Sequence, residues 1–243
     1  AGRVLSLKGV KRIILLHGTF VGSDPANIIP SLRGLFPRLD KRHGEAIGGK
    51  MKGLLDRLTG DNGNFLPGYV TLLEAALGHD IACGLFHWSS ANHHYTRLEG
   101  AVRLIEQQLT LPPHHGRTLL IGHSHARQVF AIFTLLLVPG ERHQQLWKLI
   151  KEYKLAEPGL YEKSRSLARQ SFDFVTLGGP VRYSWAYLKG MHVLHIVNHR
   201  GADATLTSPW MFWNTSSGDY VQQWGMMGSD SLALTTRERL LNV

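Results

Sequence analysis

Apolar residues along this chain fall into short continuous runs separated by longer stretches in which they recur every three or four positions. The first run is Arg12-Ile13-Ile14-Leu15-Leu16, followed at once by His17-Gly18-Thr19-Phe20. A run apolar at successive positions that ends in a small-residue loop predicts a strand buried on both faces. Val4 to Leu7 reads as an outer strand before it. Asp80 to Phe86 is a second core strand and opens into the polar loop His87 to Asn92. Between Tyr95 and Leu109, Leu98, Ala101, Val102, Ile105 and Leu109 share one side while Arg97, Glu99, Arg103 and Glu106 take the other. That spacing predicts an amphipathic helix, stopped by Leu111-Pro112-Pro113.

A third strand, Thr118 to Ile121, leads through Gly122-His123-Ser124-His125-Ala126 into a helix that runs through Phe133 and Leu137 to the stop at Pro139-Gly140. Glu141 to Gln170 carries two basic amphipathic segments around Pro158-Gly159, and a helical cap inserted at about 139–170 stands beside plain packing helices as their reading. Phe172 to Leu177 and Val193 to Val197 are further strands, with a weaker one at Tyr220 to Met226. The stretch from Asp24 to Gly78 reads as an irregular, partly helical connection with amphipathic pieces at Met51 to Leu58 and Tyr69 to Leu77. Strands alternating with helices define an α/β class: a mostly parallel sheet with helices on both faces, in one domain spanning 1–243.

Composition narrows the chemistry. The single Cys83 excludes an internal disulfide and a cysteine-rich zinc site. The longest uncharged apolar run, Val129 to Gly140, is too short to span a bilayer, and the amino terminus lacks the charged-then-apolar order of a signal peptide, so a soluble chain of unassigned compartment is expected. A formal net charge of +9 favours anionic partners, an anionic membrane surface among them. The basic residues form no dense block and no aromatic RNA-binding motif accompanies them, so no specific nucleic acid is expected. No lysine-serine pair follows His17-Gly18-Thr19-Phe20, as a phosphate loop requires. Two histidines two apart, His123 and His125, open a binuclear metal pattern, but its next places hold Arg127 and Gln128, and a cation there opposes a metal. His195, inside an apolar strand, is expected to make a buried hydrogen bond.

Ester or amide acyl transfer by a serine requires a hydroxyl, an imidazole and paired N–H donors at strand ends. Ser124 sits where a strand turns into a helix, with small residues two before and two after it, and His17-Gly18-Thr19 follows another core strand. These stretches resemble the α/β-hydrolase family, in particular its lipases and esterases. His17 to Asp24 is similar to the lipase oxyanion loop, Gly122 to Ala126 to the nucleophile elbow, Gly178-Gly179-Pro180 to the segment after the next strand, and Asn198 to Asp203 to the turn that carries the acid. The resemblance implies Ser124 as nucleophile, the backbone N–H groups of Thr19 and His125 as oxyanion donors, and Asp203 as the acid that orients the base. It implies a carboxylic-ester hydrolase with no metal or organic cofactor, and the basic surface with the candidate helical cap favours a lipid or short acyl ester as substrate.

The family's order is serine, acid, histidine, and no histidine occurs beyond His199. His199, leaving the same strand end as Asp203, is the substitute base; Asp173, Asp219 and Asp230 remain alternative acids. Arg127, a bulky cation immediately after the elbow, is a second departure. The alternative reading keeps the fold but makes the protein a weak or inactive hydrolase-like shell that binds an anionic partner.

Overall fold

The computed structural model describes residues 2–18, 65–78, 80–91, 93–180 and 182–197. Five strands form one sheet: β1 (Val10–Leu16), β2 (Ala82–Phe86), β3 (Arg117–His123), β4 (Ser171–Leu177) and β5 (His192–Ile196). Their order is β2-β1-β3-β4-β5, and every neighbouring pair is parallel. The helices are α1 (Gly2–Leu7), α2 (Pro67–Leu77), α3 (His94–Thr110), α4 (Ala126–Leu137), α5 (Glu141–Glu152) and α6 (Leu160–Leu167).

The alternation of β1 divides the core. Ile14 and Leu16 face α3 and α4, where Leu120, Phe172 and Phe174 from β3 and β4 meet Leu104, Val129 and Phe133 from the helices. Phe133 stands edge-on to Phe172 at 5.2 Å, and Phe130 is tilted against Phe174 at 5.5 Å. Truncating one such ring to alanine costs about 3–5 kcal/mol, so this layer dominates stability. Ile13 and Leu15 face the other way, toward Leu5 of α1 and Val70, Leu73 and Leu77 of α2. Helices therefore lie on both faces of an all-parallel sheet, as the α/β pattern predicts.

Val4 to Leu7 is the clear misreading. It lies in α1, not in a strand: Lys8 N–H donates to Val4 O, and Gly9, at φ 83°, turns the chain into β1. Packing decides it, because Gly2 lies so close to Leu77 O that a Cβ there would clash at 1.9 Å. The two segments between Glu141 and Gln170 are α5 and α6, which pack on α4 and on both α3 and α4 respectively. Trp147 Nε1 of α5 donates to Leu136 O at the carboxyl end of α4, whereas Ser124 precedes its amino end. These contacts put α5 against the end of α4 away from Ser124. The segments Met51 to Leu58 and Tyr220 to Met226 lie outside the described residues, and no described helix is long and apolar enough to cross a membrane.

Candidate active site at the strand ends

The sheet order reverses direction between β1 and β3, and in open parallel sheets the crevice beyond the carboxyl ends at such a point is where ligands bind. Those two strands end in His17-Gly18 and in His123-Ser124. The contact between them is direct: a Cβ on Gly18 would lie 2.8 Å from Ser124 Cβ and 3.1 Å from His123 Nδ1. Only a residue without a side chain fits there.

Ser124 adopts φ 53°, a left-handed conformation that an L-residue reaches at a cost of about 1–3 kcal/mol. The turn is over-determined by its surroundings. Ser124 N–H donates to Leu177 O at 2.8 Å, Ser124 O accepts from Arg127 N–H at 3.2 Å, and His125 O accepts from Gln128 N–H at 2.9 Å. A Cβ on Gly122 would lie 2.5 Å from the Phe130 ring and 2.8 Å from Ala126 Cβ. Small residues at 122 and 126 thus let α4 fold back tightly on β3. Ser124 is 6% exposed, and its Oγ lies 3.5 Å from His125 Nδ1, the outer limit of a hydrogen bond. His125 also caps the amino end of α4, where the aligned peptide dipoles favour negative charge.

Trp88, which sequence reasoning passed over as part of a polar loop, holds the first of these strand ends. It is fully buried, its Nε1 donates to His17 O at 3.0 Å, and its ring stacks on His17 at 6.2 Å and 14°. The available signal was Gly100, nearly two turns into α3, where a Cβ would come within 3.1 Å of the indole. His17 Nδ1 is 3.1 Å from Gly18 O, which further shapes the segment.

Arg127 finds its place through Gly179. A Cβ at 179 would sit 2.6 Å from Arg127 Cβ, so the glycine after β4 makes room for the stem, and Arg127 Nη1 donates to Pro180 O at 2.9 Å. The guanidinium is buried and pairs with no carboxylate among the described residues; burial pushes its pKa down. His195 differs from expectation. Its Nδ1 does meet Thr176 Oγ1 at 2.6 Å in a half-buried contact, while the residue as a whole is exposed because β5 is the outermost described strand. That partial burial of the ring first, and then Arg127, lowers its pKa.

Thr19, His199, Asp203, Asp219 and Asp230 lie outside the described residues. Asp173 does not approach Ser124. It points to the amino end of the sheet, where Arg117 binds both carboxylate oxygens and His192 Nδ1 lies 2.8 Å away. Its partner in register, Leu119, is five residues before Ser124, about 16 Å of strand. Among the described residues no group of three or more His, Cys, Asp or Glu is placed to hold a metal ion.

The molecule is therefore an open α/β protein with a buried, strained serine at the switch point of a five-stranded parallel sheet. Compared with known proteins, the chain matches no family model, no curated protein and no solved structure.

Proposed function

We propose that the protein is a serine hydrolase of α/β-hydrolase-like fold that cleaves carboxylic esters through an acyl-enzyme on Ser124. The observation that carries this reading is the backbone of Ser124, held at φ 53° after β3 with Gly18 of the β1 end against its Cβ. A left-handed serine at a strand-to-helix turn presents its hydroxyl beyond the sheet, beside the N–H groups that open the helix. In the mechanism Ser124 Oγ attacks the ester carbonyl carbon as His199 takes its proton, and the N–H groups of Thr19 and His125 hold the oxyanion. The imidazolium, oriented by Asp203, returns the proton to the departing alkoxide. Water then attacks the acyl-enzyme with the same imidazole as base, releasing the carboxylate and restoring the serine. A lipid or short acyl ester is the substrate class, supported by the +9 charge that favours an anionic interface.

Arg127 favours a second reading, a hydrolase-like shell of little activity that binds an anionic partner. Its guanidinium already opposes the protonation of His195, and a cation near the elbow likewise opposes the imidazolium that the mechanism forms. Labelling with a fluorophosphonate probe separates the two. Under the first reading the chain labels, Ser124→Ala loses all labelling, and His199→Ala loses most of it. Absence of labelling in the unaltered chain supports the second, and ester turnover that survives Ser124→Ala removes the mechanism.

A further inference from the structure

A cleft of about 1000 Å³ lies between α5 and α6, lined by His143, Trp147, Lys148, Lys151, Lys154 and Tyr161 among others. Its volume is at the upper end of small-molecule sites, and an apolar wall with a few convergent charges is their usual composition. The apolar wall is an aromatic trio: Trp147 stands edge-on to Tyr161 at 5.2 Å, and His143 touches both, at 6.3 Å and 5.7 Å. Ile150 and Leu160 extend it. Lys148, Lys151 and Lys154 lie at three-residue steps along the α5 side, all exposed, while Glu157 and Glu162 lie toward α6.

Two features shape this cleft. Lys154 adopts φ 52°. It occupies the position just past the end of α5 in a Schellman turn, with Leu155 N–H donating to Ile150 O at 3.0 Å and Lys154 N–H to Lys151 O at 3.3 Å. Glycine is the ordinary occupant of that position, so the lysine there carries backbone strain while it adds a charge to the cleft. Independently, His143 is only 7% exposed and closes the inner wall beside Trp147 and Tyr161.

We infer that the cleft binds an anionic amphiphile, a single alkyl chain ending in a carboxylate, with the chain against Trp147, Tyr161 and Ile150 and the carboxylate among Lys148, Lys151 and Lys154. The lysines outnumber the glutamates of the facing wall, and the net charge of +9 adds to the attraction for an anion. The inference does not rest on the reading of Ser124: α5 packs on the far half of α4, so the cleft and the elbow are separate sites.

The test is displacement of a fluorescent fatty acid by oleate below its micelle concentration, on the full chain. Oleate is expected to displace the probe at one site, and oleyl alcohol to do so much more weakly. Lys154→Gly is expected to weaken oleate roughly two- to fivefold while raising the thermal midpoint, because glycine relieves the left-handed strain. A merely structural lysine would not separate these two effects. Lys154→Arg should keep the affinity, Lys148→Ala with Lys151→Ala should lower it further, and Ser124→Ala should leave it unchanged. No displacement by oleate, equal affinity for the alcohol, or affinity unmoved by all the lysine variants would overturn the proposal. Loss of binding in Ser124→Ala would place the fatty acid at the elbow instead. Binding to anionic vesicles without binding to monomeric oleate would replace the ligand site with a membrane surface.

Discussion

Arg117 at the amino end of the sheet and Arg127 at the carboxyl end are held in opposite ways. Arg117 binds both oxygens of Asp173, which also accepts from the His192 N–H at 3.0 Å, so the charges of this pair answer each other, while Arg12 nearby in β1 is buried and donates to Pro112 O. At the carboxyl end, Arg127 is buried without a carboxylate among the described residues and rests on a single carbonyl, that of Pro180. Two of the three described non-glycine residues at positive φ, Ser90 and Ser124, also belong to this end, after β2 and β3. The carboxyl end thus carries two strained serines beside a buried arginine that has no carboxylate among the described residues, and a protein tolerates such strain where geometry serves a purpose other than stability.

The contrast breaks most sharply at Gly18. Gly18→Ala places a methyl group against Ser124, and a displacement of the nucleophile approaching 1 Å is expected to slow fluorophosphonate labelling roughly 100-fold; an unchanged rate would show that the close approach of β1 does not position the serine. Gly122→Ala forces α4 away from β3 and is expected to cost about 1–3 kcal/mol in urea denaturation, as overpacking does.

At the amino end the expected effect is electrostatic. Burial opposes ionisation of Asp173 and is the largest influence on it, yet the hydrogen bonds from Arg117 and His192 together hold its pKa below the usual carboxylate value. Its ionised form therefore adds stability above the unfolded pKa of about 3.9, and that contribution is lost as pH falls through the lower folded value. Asp173→Asn should cost about 1–3 kcal/mol at pH 7, and the difference between the two chains should shrink as pH is lowered below 4. A constant difference across that range would place the effect in packing.

The smallest expected change is at Arg127. Arg127→Met removes a buried cation and fills similar space, so stability should move by no more than about 1 kcal/mol. The same variant should raise the pKa of His195, seen by NMR titration, since Arg127 helps to lower it. If His195 does not move, the guanidinium does not act on the carboxyl end electrostatically.

The legible parts of this fold are those with a single dominant cause. The apolar runs of β1, β3 and β4 define strands wherever they are placed, and the three- and four-residue spacing of α3 admits one period only. The six residues of α1 are too few to show a period, and contact of Gly2 with Leu77 decides their helix. At the site, the small residues around Ser124 announced the turn, and their reason is visible in the close approach of Phe130 and Ala126 to Gly122. The fit of Arg127 was not legible, because it depends on Gly179, fifty-two positions away and brought near only by β3–β4 pairing. His195 was misjudged because an apolar run does not say whether its strand is central or outermost. Trp88 was missed because its hydrogen bond to His17 joins residues 71 apart.

The bond from Ser124 N–H to Leu177 O extends the β3–β4 ladder by one rung, from regular strand into the turn itself. A turn tied to the outside of a sheet exchanges its amide protons on the timescale of loop fluctuations. This one is fastened to two interior strands of the described sheet, so its amide is expected to exchange only as the ladder frays from that end, which ties the position of the Ser124 hydroxyl to the integrity of the β3–β4 pairing.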